Sequence, residues 1–305
     1  MKKTYLLILL LSTTLVANAQ INMEDSTVQA IVYWDKMEKQ TYKVSEEKIK
    51  LEGSDTISKS IYSYKVEITV LDSTANSYTA EWVYKDFTGV SPTNFNQNLS
   101  AIMKDVKVVF KTNELGEFAE VVNWEEIRDK KKKSISILEG KFKDLSLSEK
   151  TMLTLQKSHT SKESIESNAI KDIRQFLTFN GAKYKLDEVI EGTTETINTF
   201  GGKPFDIHTS VYLDEIIEEE NNFIIRASQE IDSHQLTEET YKYIIKTNEK
   251  LKKEFPNLES FPQLKNEVLT DARIHSSGWV IYSRQTITII TDEDTNIDER
   301  IIEIE

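Results

Sequence analysis

Cysteine is absent from the 305-residue chain. Disulfide frameworks, thiol nucleophiles, iron–sulfur clusters and thiolate zinc sites are therefore excluded. Proline and glycine are scarce, at four and nine residues, which argues against collagenous and proline-rich disordered architectures. The four histidines, His159, His208, His234 and His275, form no H-E-x-x-H pair, and none stand close enough in sequence to imply a shared metal. There is no G-x-S-x-G nucleophile elbow. Gly201-Gly202-Lys203 is followed by Pro204 rather than Ser or Thr and lacks the earlier glycine of a phosphate loop, so it reads as a turn. Positive charge is short, with 38 Lys+Arg against 51 Asp+Glu. A surface this acidic repels phosphates, which disfavours nucleic acid and anionic lipid headgroups as partners.

Long apolar runs are also missing beyond the first 16 residues. The beginning has Lys2 and Lys3, an apolar stretch from Tyr5 to Val16, and Ala17-Asn18-Ala19 in the small-x-small pattern of a signal-peptidase site. The stretch is shorter than the roughly 20 residues a membrane helix needs. Residues 1–19 thus read as a signal peptide cleaved before Gln20, and no Cys follows it for lipid attachment. Loss of Lys2 and Lys3 takes the formal charge from −13 to −15. The expected location is the periplasm or the extracellular space, without stable membrane insertion.

What remains is β-rich, then helical, then β-rich. Tyr62, Tyr64, Val66, Ile68 and Val70 alternate with Ser63, Lys65, Glu67 and Thr69, the period of a strand with one buried face. After a turn at 72–76 the alternation resumes at Tyr78, Ala80, Trp82 and Tyr84, making a hairpin. Another pair of strands begins at Val106, turns at Asn113-Glu114-Leu115-Gly116 and returns to Val122. From 123 to 180 the period becomes helical. Asn123 with Glu126 reads as a capping box, Ser146 with Glu149 as a second start, and Ile165, Ala169, Ile173, Phe176 and Leu177 as one stripe. Strands return from 181, interrupted by a helix expected over 237–254. The expected organisation is a β-rich half at 20–122, a helical segment at 123–180 and a second β-rich half at 181–305. The patterns of 61–87 and 205–232 are alike, and a Gly-turned pair follows each, at Gly116 and Gly278. Internal duplication and the chance likeness of two hairpins both explain this.

Two groups of residues are candidate sites. Tyr62, Tyr64, Tyr78, Trp82 and Tyr84 share the apolar phase of neighbouring strands. Core packing explains them, since cross-strand aromatic pairs stabilise sheets by roughly 0.2–1 kcal/mol each. A concave wall for an apolar ligand also explains them, because a dry core has little use for so many hydroxyls. Asp292, Asp294, Asn296 and Asp298 put oxygens at alternate positions, as Ca²⁺ loops do, although Ile297 stands where such a loop needs glycine and the flanks read as strands. A solvated hairpin turn is the reading preferred for them. Lys130 to Lys133 reads as the wet side of a helix.

The Y-x-Y-x-V-x-I-x-V strand at 62–70, the Gly-turned pair ending in Val121-Val122-Asn123-Trp124 and the intervening helices resemble uncharacterised secreted β-rich proteins of Bacteroidetes-type bacteria. Those are similar in outline to the periplasmic lipoprotein-carrier (LolA/LppX-like) half-barrel. The resemblance implies a curved sheet whose concave face is covered by helices, and it transfers no functional residue. The expectation is an α+β fold built on curved antiparallel sheet, in one domain or two related halves. The expected function is non-enzymatic binding of a lipid-like or other hydrophobic ligand, without a cofactor. The alternatives are an envelope scaffold that interacts with another protein and no small ligand, and a carboxylate-dependent hydrolase.

Overall fold

The computed structural model describes residues 20–90, 106–141, 161–168, 170–196, 198, 202–251 and 257–305. In chain order, β1 (Ile21–Asn22) and β2 (Thr27–Gln29) precede a meander of β3 (Lys39–Glu52), β4 (Asp55–Thr74), β5 (Ser77–Val90), β6 (Lys107–Asn113) and β7 (Phe118–Val121). Helices α1 (Trp124–Lys141), α2 (Lys162–Asn168) and α3 (Lys171–Phe176) follow. Then come β8 (Lys183–Lys185), β9 (Val189–Thr196), β10 (Phe205–Ile217), β11 (Asn222–Ile231), helix α4 (Ser233–Leu251), β12 (Lys265–His275), β13 (Val280–Ile290) and β14 (Asp294–Ile304).

One antiparallel, curved and unclosed sheet carries both β-rich halves, in the order β7-β6-β5-β4-β3-β14-β13-β12-β11-β10-β9. The two meanders join at the centre, where β14 pairs with β3 from Asp294↔Glu52 to Ile304↔Tyr42. The architecture is α+β. A separate three-stranded sheet, β1-β2-β8, sits beside it.

The period-two alternation sets the inner face. A row of cross-strand partners, Tyr64, Val44, Ile302, Ser283, Ala272, Ile225 and Leu213, crosses seven strands and is buried throughout. One step further along the strands the same face turns polar: Tyr62, Glu46, Arg300, Gln285 and Thr270 are successive partners. The inner face is thus divided into an apolar basin and a charged shelf.

Helix α3 lies in the basin and touches β13 and β14. Its Phe176 meets Tyr42 of β3, Trp82 of β5, Trp34, and Trp279 of the β12–β13 turn, with ring centroids 5.2–6.4 Å away. In a flat sheet β5 and β13 stand about 19 Å apart, four inter-strand spacings. The sheet must therefore bend around the helix. Residues 30–34 cross the same end of the basin: Gly181 N donates to Ala30 O at 2.7 Å and Tyr33 N to Ser277 O at 3.0 Å.

Several local expectations are corrected. The stripe from Ile165 to Leu177 forms two helices, α2 and α3, rather than one. Asn123 is not a capping-box serine analogue. Its Oδ1 accepts from Val109 N at 2.8 Å, tying the helix start to β6, and Glu126 reaches only its side-chain amide. Helix α4 begins at Ser233, four residues before Thr237, because Gln235 N donates to Asp232 Oδ1 and anchors an earlier start. The start expected at Ser146, together with His159 and Ala169, lies outside the described residues.

Candidate functional site

The five aromatic residues separate by depth. Trp82 and Tyr84 are buried on β5, and Tyr64 is buried on β4. Tyr78 is half-buried. It packs edge-on against Trp34 and donates to Val32 O at 2.9 Å. Tyr62 shares their phase but falls on the charged shelf, directly opposite Glu46 and Gly89, and only half-buried. It is therefore not part of the apolar basin. A bulge opposite Tyr64, where Asp86 takes a positive φ of 51°, turns Phe87 inward to stack on Tyr64 at 4.8 Å.

Where basin meets shelf, the sheet and α3 share a buried polar network. Tyr84 Oη donates to Asp172 Oδ1 at 2.7 Å, and Tyr64 Oη lies 3.3 Å from Asp172 Oδ2 and 3.4 Å from Glu46 Oε1. Arg300 Nε donates to Glu46 Oε1 at 3.0 Å, and its Nη1 reaches Gln175 Oε1 at 3.4 Å. Gln175 Nε2 donates to Ser283 Oγ at 3.1 Å. Burial raises the pKa of Asp172 above its ordinary value, against Arg300 and Tyr84, which favour the carboxylate. Burial, and then the Asp172 charge, push the Tyr64 and Tyr84 phenols well above theirs, so both stay protonated donors. Lys171 lines an adjoining crevice of about 40 Å³, room for roughly one water. Loss of solvent around its ammonium, and then the nearby Arg300 and Lys48, lower its pKa.

The aromatic basin has a second property. Trp34, Tyr42 and Trp82 are at most 2% exposed and all pack on Phe176. Trp34 Nε1, Tyr42 Oη and Trp82 Nε1 have no hydrogen-bond partner among the described residues. The fourth ring on Phe176 behaves differently: Trp279 Nε1 donates to Glu38 Oε1 at 2.6 Å. A buried donor left unpaired costs about 1–3 kcal/mol. Three of them around one phenyl ring are unusual for a finished core.

The acidic turn residues are not gathered around a point. Asp294 and Asp298 pair with Lys50 and Lys48 at 3.1 and 3.0 Å, and Asn296 lies between them on β14. Strand geometry strings such positions about 6.7 Å apart in a line, which is the reverse of a coordination shell. Asp292 remains in the turn before β14. Among the described residues no three His, Asp or Glu side chains come together in a way that could hold a metal ion. His208 lies on the outer face 3.2 Å from Thr193 Oγ1, His275 bonds Ser277 at 2.8 Å, and His234 is exposed on α4.

The polar network was missed in the sequence. Its members come from β3, β4, β5, α3, β13 and β14, and only the buried phase of Tyr64 and Tyr84 pointed toward it.

No family model and no curated protein sequence matches this chain. Among solved structures it is similar to lipovitellin, in a study of lipid–protein interactions, at 10% identity and a TM-score of 0.41. That likeness covers 90% of this chain, which spans 25% of the lipovitellin chain. It is also similar to DynF of the dynemicin biosynthesis pathway of Micromonospora chersina, at 5% identity and a TM-score of 0.21, over 93% of this chain and 88% of that one. Both likenesses lie below the level that fixes a fold. No described helix is long and apolar enough to cross a membrane.

Proposed function

We propose that this protein is an exported, non-enzymatic binding protein whose aromatic basin takes an apolar, lipid-like group bearing a carbonyl or similar acceptor, in exchange for helix α3. The observation that carries this reading is the trio of buried, unpartnered donors on Trp34, Tyr42 and Trp82 around Phe176. A ligand with an apolar body and an acceptor oxygen would bury its surface at about 25 cal/mol per Å² and satisfy groups that Phe176 cannot. Helix α3 suits an exchangeable occupant. It has only six residues, its N-terminus carries no side-chain cap, and it is held by polar contacts as well as by Phe176 and Ile173. Export rests on Lys2, Lys3, the Tyr5–Val16 stretch and Ala17-Asn18-Ala19.

Native mass spectrometry of the protein purified from its own cell envelope tests the proposal. A co-purifying apolar molecule is expected, together with a polypeptide mass that starts at Gln20. Bare protein from repeated preparations, with no mass gained on adding fatty acids or phospholipids, overturns ligand carriage and leaves the scaffold.

One observation favours a hydrolase as the second reading. Glu46 and Asp172 flank the same Tyr64 hydroxyl, within about 7 Å of each other, inside the roughly 5–9.5 Å span of glycosidase carboxylates. Against it, Asp172 is 4% exposed on the buried side of α3, and the crevice beside Glu46 holds about 40 Å³. Turnover of a chromogenic glycoside that Glu46→Gln abolishes would establish that reading instead.

A further inference from the structure

The two edges of the large sheet are finished differently. At one end β7 is only four residues long and is irregular against β6, and its Val121 N–H is taken by the Glu166 carboxylate of α2 at 2.8 Å. At the other end β9 runs eight residues in unbroken register with β10, from Val189↔Tyr212 to Thr196↔Phe205. Among the described residues it pairs with no other strand. Seven of its eight residues are exposed, with Val189 and Ile190 at 58% and 48%. Every second residue of such a strand turns its N–H and C=O away from the sheet. Proteins ordinarily blunt a free edge with charged side chains, lysine above all, or with proline, a bulge or a short strand. The sequence VIEGTTET of β9 has no lysine, proline or bulge, and its only charges are Glu191 and Glu195.

The charge beside this edge has one sign. Glu191 and Glu195 lie on the outer face of β9, opposite Ser210 and Asp206. Next to them a depression of about 450 Å³ is lined by Glu191, Thr193, His208, Ser210, Glu230 and Glu267 among others, and none of its lining residues is Lys or Arg. Glu230 and Glu267 are direct cross-strand partners, an arrangement of like charges that costs stability. None of Glu191, Glu195, Glu230 and Glu267 has an ion pair among the described residues, although surface acids are paired elsewhere on the sheet, as Lys48–Asp298, Lys59–Glu47 and Arg226–Asp214 show.

We propose that β9 is a docking edge that accepts an extended segment of another protein as a twelfth strand, with Lys or Arg at alternate positions. Main-chain hydrogen bonds to the free edge supply affinity. Basic side chains opposite Glu191 and Glu195 supply selectivity, whereas Glu230 and Glu267, three and four strands from the added one, lie beyond the Debye length of about 8 Å and contribute little. A second copy of this chain is the poorer occupant, since it would set its own Glu191 and Glu195 against this edge. The proposal does not depend on the aromatic basin, which faces the other side of the sheet.

Fluorescence anisotropy of a labelled nine-residue peptide, lysine alternating with valine and threonine, tests it on the full mature chain. The peptide should bind, and its counterpart with glutamate for lysine should not. Glu191→Gln with Glu195→Gln should weaken binding about fivefold and flatten its salt dependence. Methylating alternate peptide nitrogens should abolish binding while leaving the protein untouched. Equal binding of both peptides, or full binding of the methylated one, overturns strand addition. A dimer in sedimentation that the lysine peptide disperses gives the edge to a second copy and likewise overturns the proposal.

Discussion

Tyr84 donates a 2.7 Å hydrogen bond to Asp172, tying the floor of the sheet to the helix that covers it. The same carboxylate receives the Ile173 N–H at 3.1 Å and faces Tyr64 Oη at 3.3 Å, so removing one donor leaves a buried charge partly unpaired. Hydrogen bonds to charged groups contribute about 1.5–3 kcal/mol. Tyr84→Phe should therefore lose about that much stability in urea unfolding at pH 7. A loss within 0.5 kcal/mol, the usual size of a surface change, would mean that the phenol does not hold α3.

The pH dependence has a definite sign. Burial puts the pKa of Asp172 above its ordinary 3.8, so the folded protein holds this proton more tightly than the unfolded chain. Stability from this group is full below 3.8 and declines as pH rises through the higher folded value. Asp172→Asn should remove that part of the slope while keeping an acceptor for Tyr84. Unfolding midpoints of the two proteins, measured from pH 3 upward, should converge at low pH and separate as pH rises. Parallel curves would show that Asp172 does not titrate in this way.

The sheet was legible where its signal is local. Tyr64, Val66, Ile68 and Val70 on one strand and Trp82 and Tyr84 on the next alternate within a few residues, and all are buried. Strand β3 was illegible because Ser45-Glu46-Glu47-Lys48 interrupts its alternation, and those charges make sense only once β14 brings Arg300 and Asp298 opposite. Strand β9 shows no apolar alternation, since an edge facing water has no core to match. In α3 the apolar stripe of Ile173 and Phe176 was readable. Asp172 and Gln175 should then be wet, yet both are buried, because a helix sunk in a bent sheet has little wet side.

Gly116 and Gly278 each close a hairpin turn, and both abut Val32. A Cβ on Gly116, at φ +90°, would sit 2.7 Å from Val32 Cγ1, a side-chain methyl. A Cβ on Gly278, at φ +85°, would sit 2.5 Å from Ile31 O and 2.6 Å from Val32 Cα, which are backbone. Both Gly→Ala changes incur the left-handed backbone penalty of about 1 kcal/mol or more. Trimming Val32 to Ala should recover part of the loss for Gly116→Ala and much less for Gly278→Ala, where it relieves only the 3.1 Å contact to Val32 Cγ1 and leaves the backbone clashes. The double-mutant cycle in urea decides it, and equal coupling at both turns would contradict the packing of residues 30–34 described above.

Phe176→Ala separates a filled core from an exchangeable one. Deleting a buried phenyl ring costs about 3–5 kcal/mol through lost transfer energy and the cavity left behind. That loss is expected on either reading. What differs is the response to a small apolar molecule that fits the space. Toluene replaces only the ring, whereas acetophenone brings a carbonyl that can accept from Trp34 Nε1, Tyr42 Oη or Trp82 Nε1. A ligand that binds only the folded protein raises its stability by RT ln(1 + [L]/Kd). At equal millimolar concentrations both compounds should raise the unfolding midpoint of Phe176→Ala, and acetophenone more, by the equivalent of about 1 kcal/mol for one recovered hydrogen bond. The unsubstituted protein, with its ring in place, should not respond to either at that concentration. Equal shifts from the two compounds would show that the three donors find partners without help, and the case for an acceptor-bearing ligand in the basin would fail.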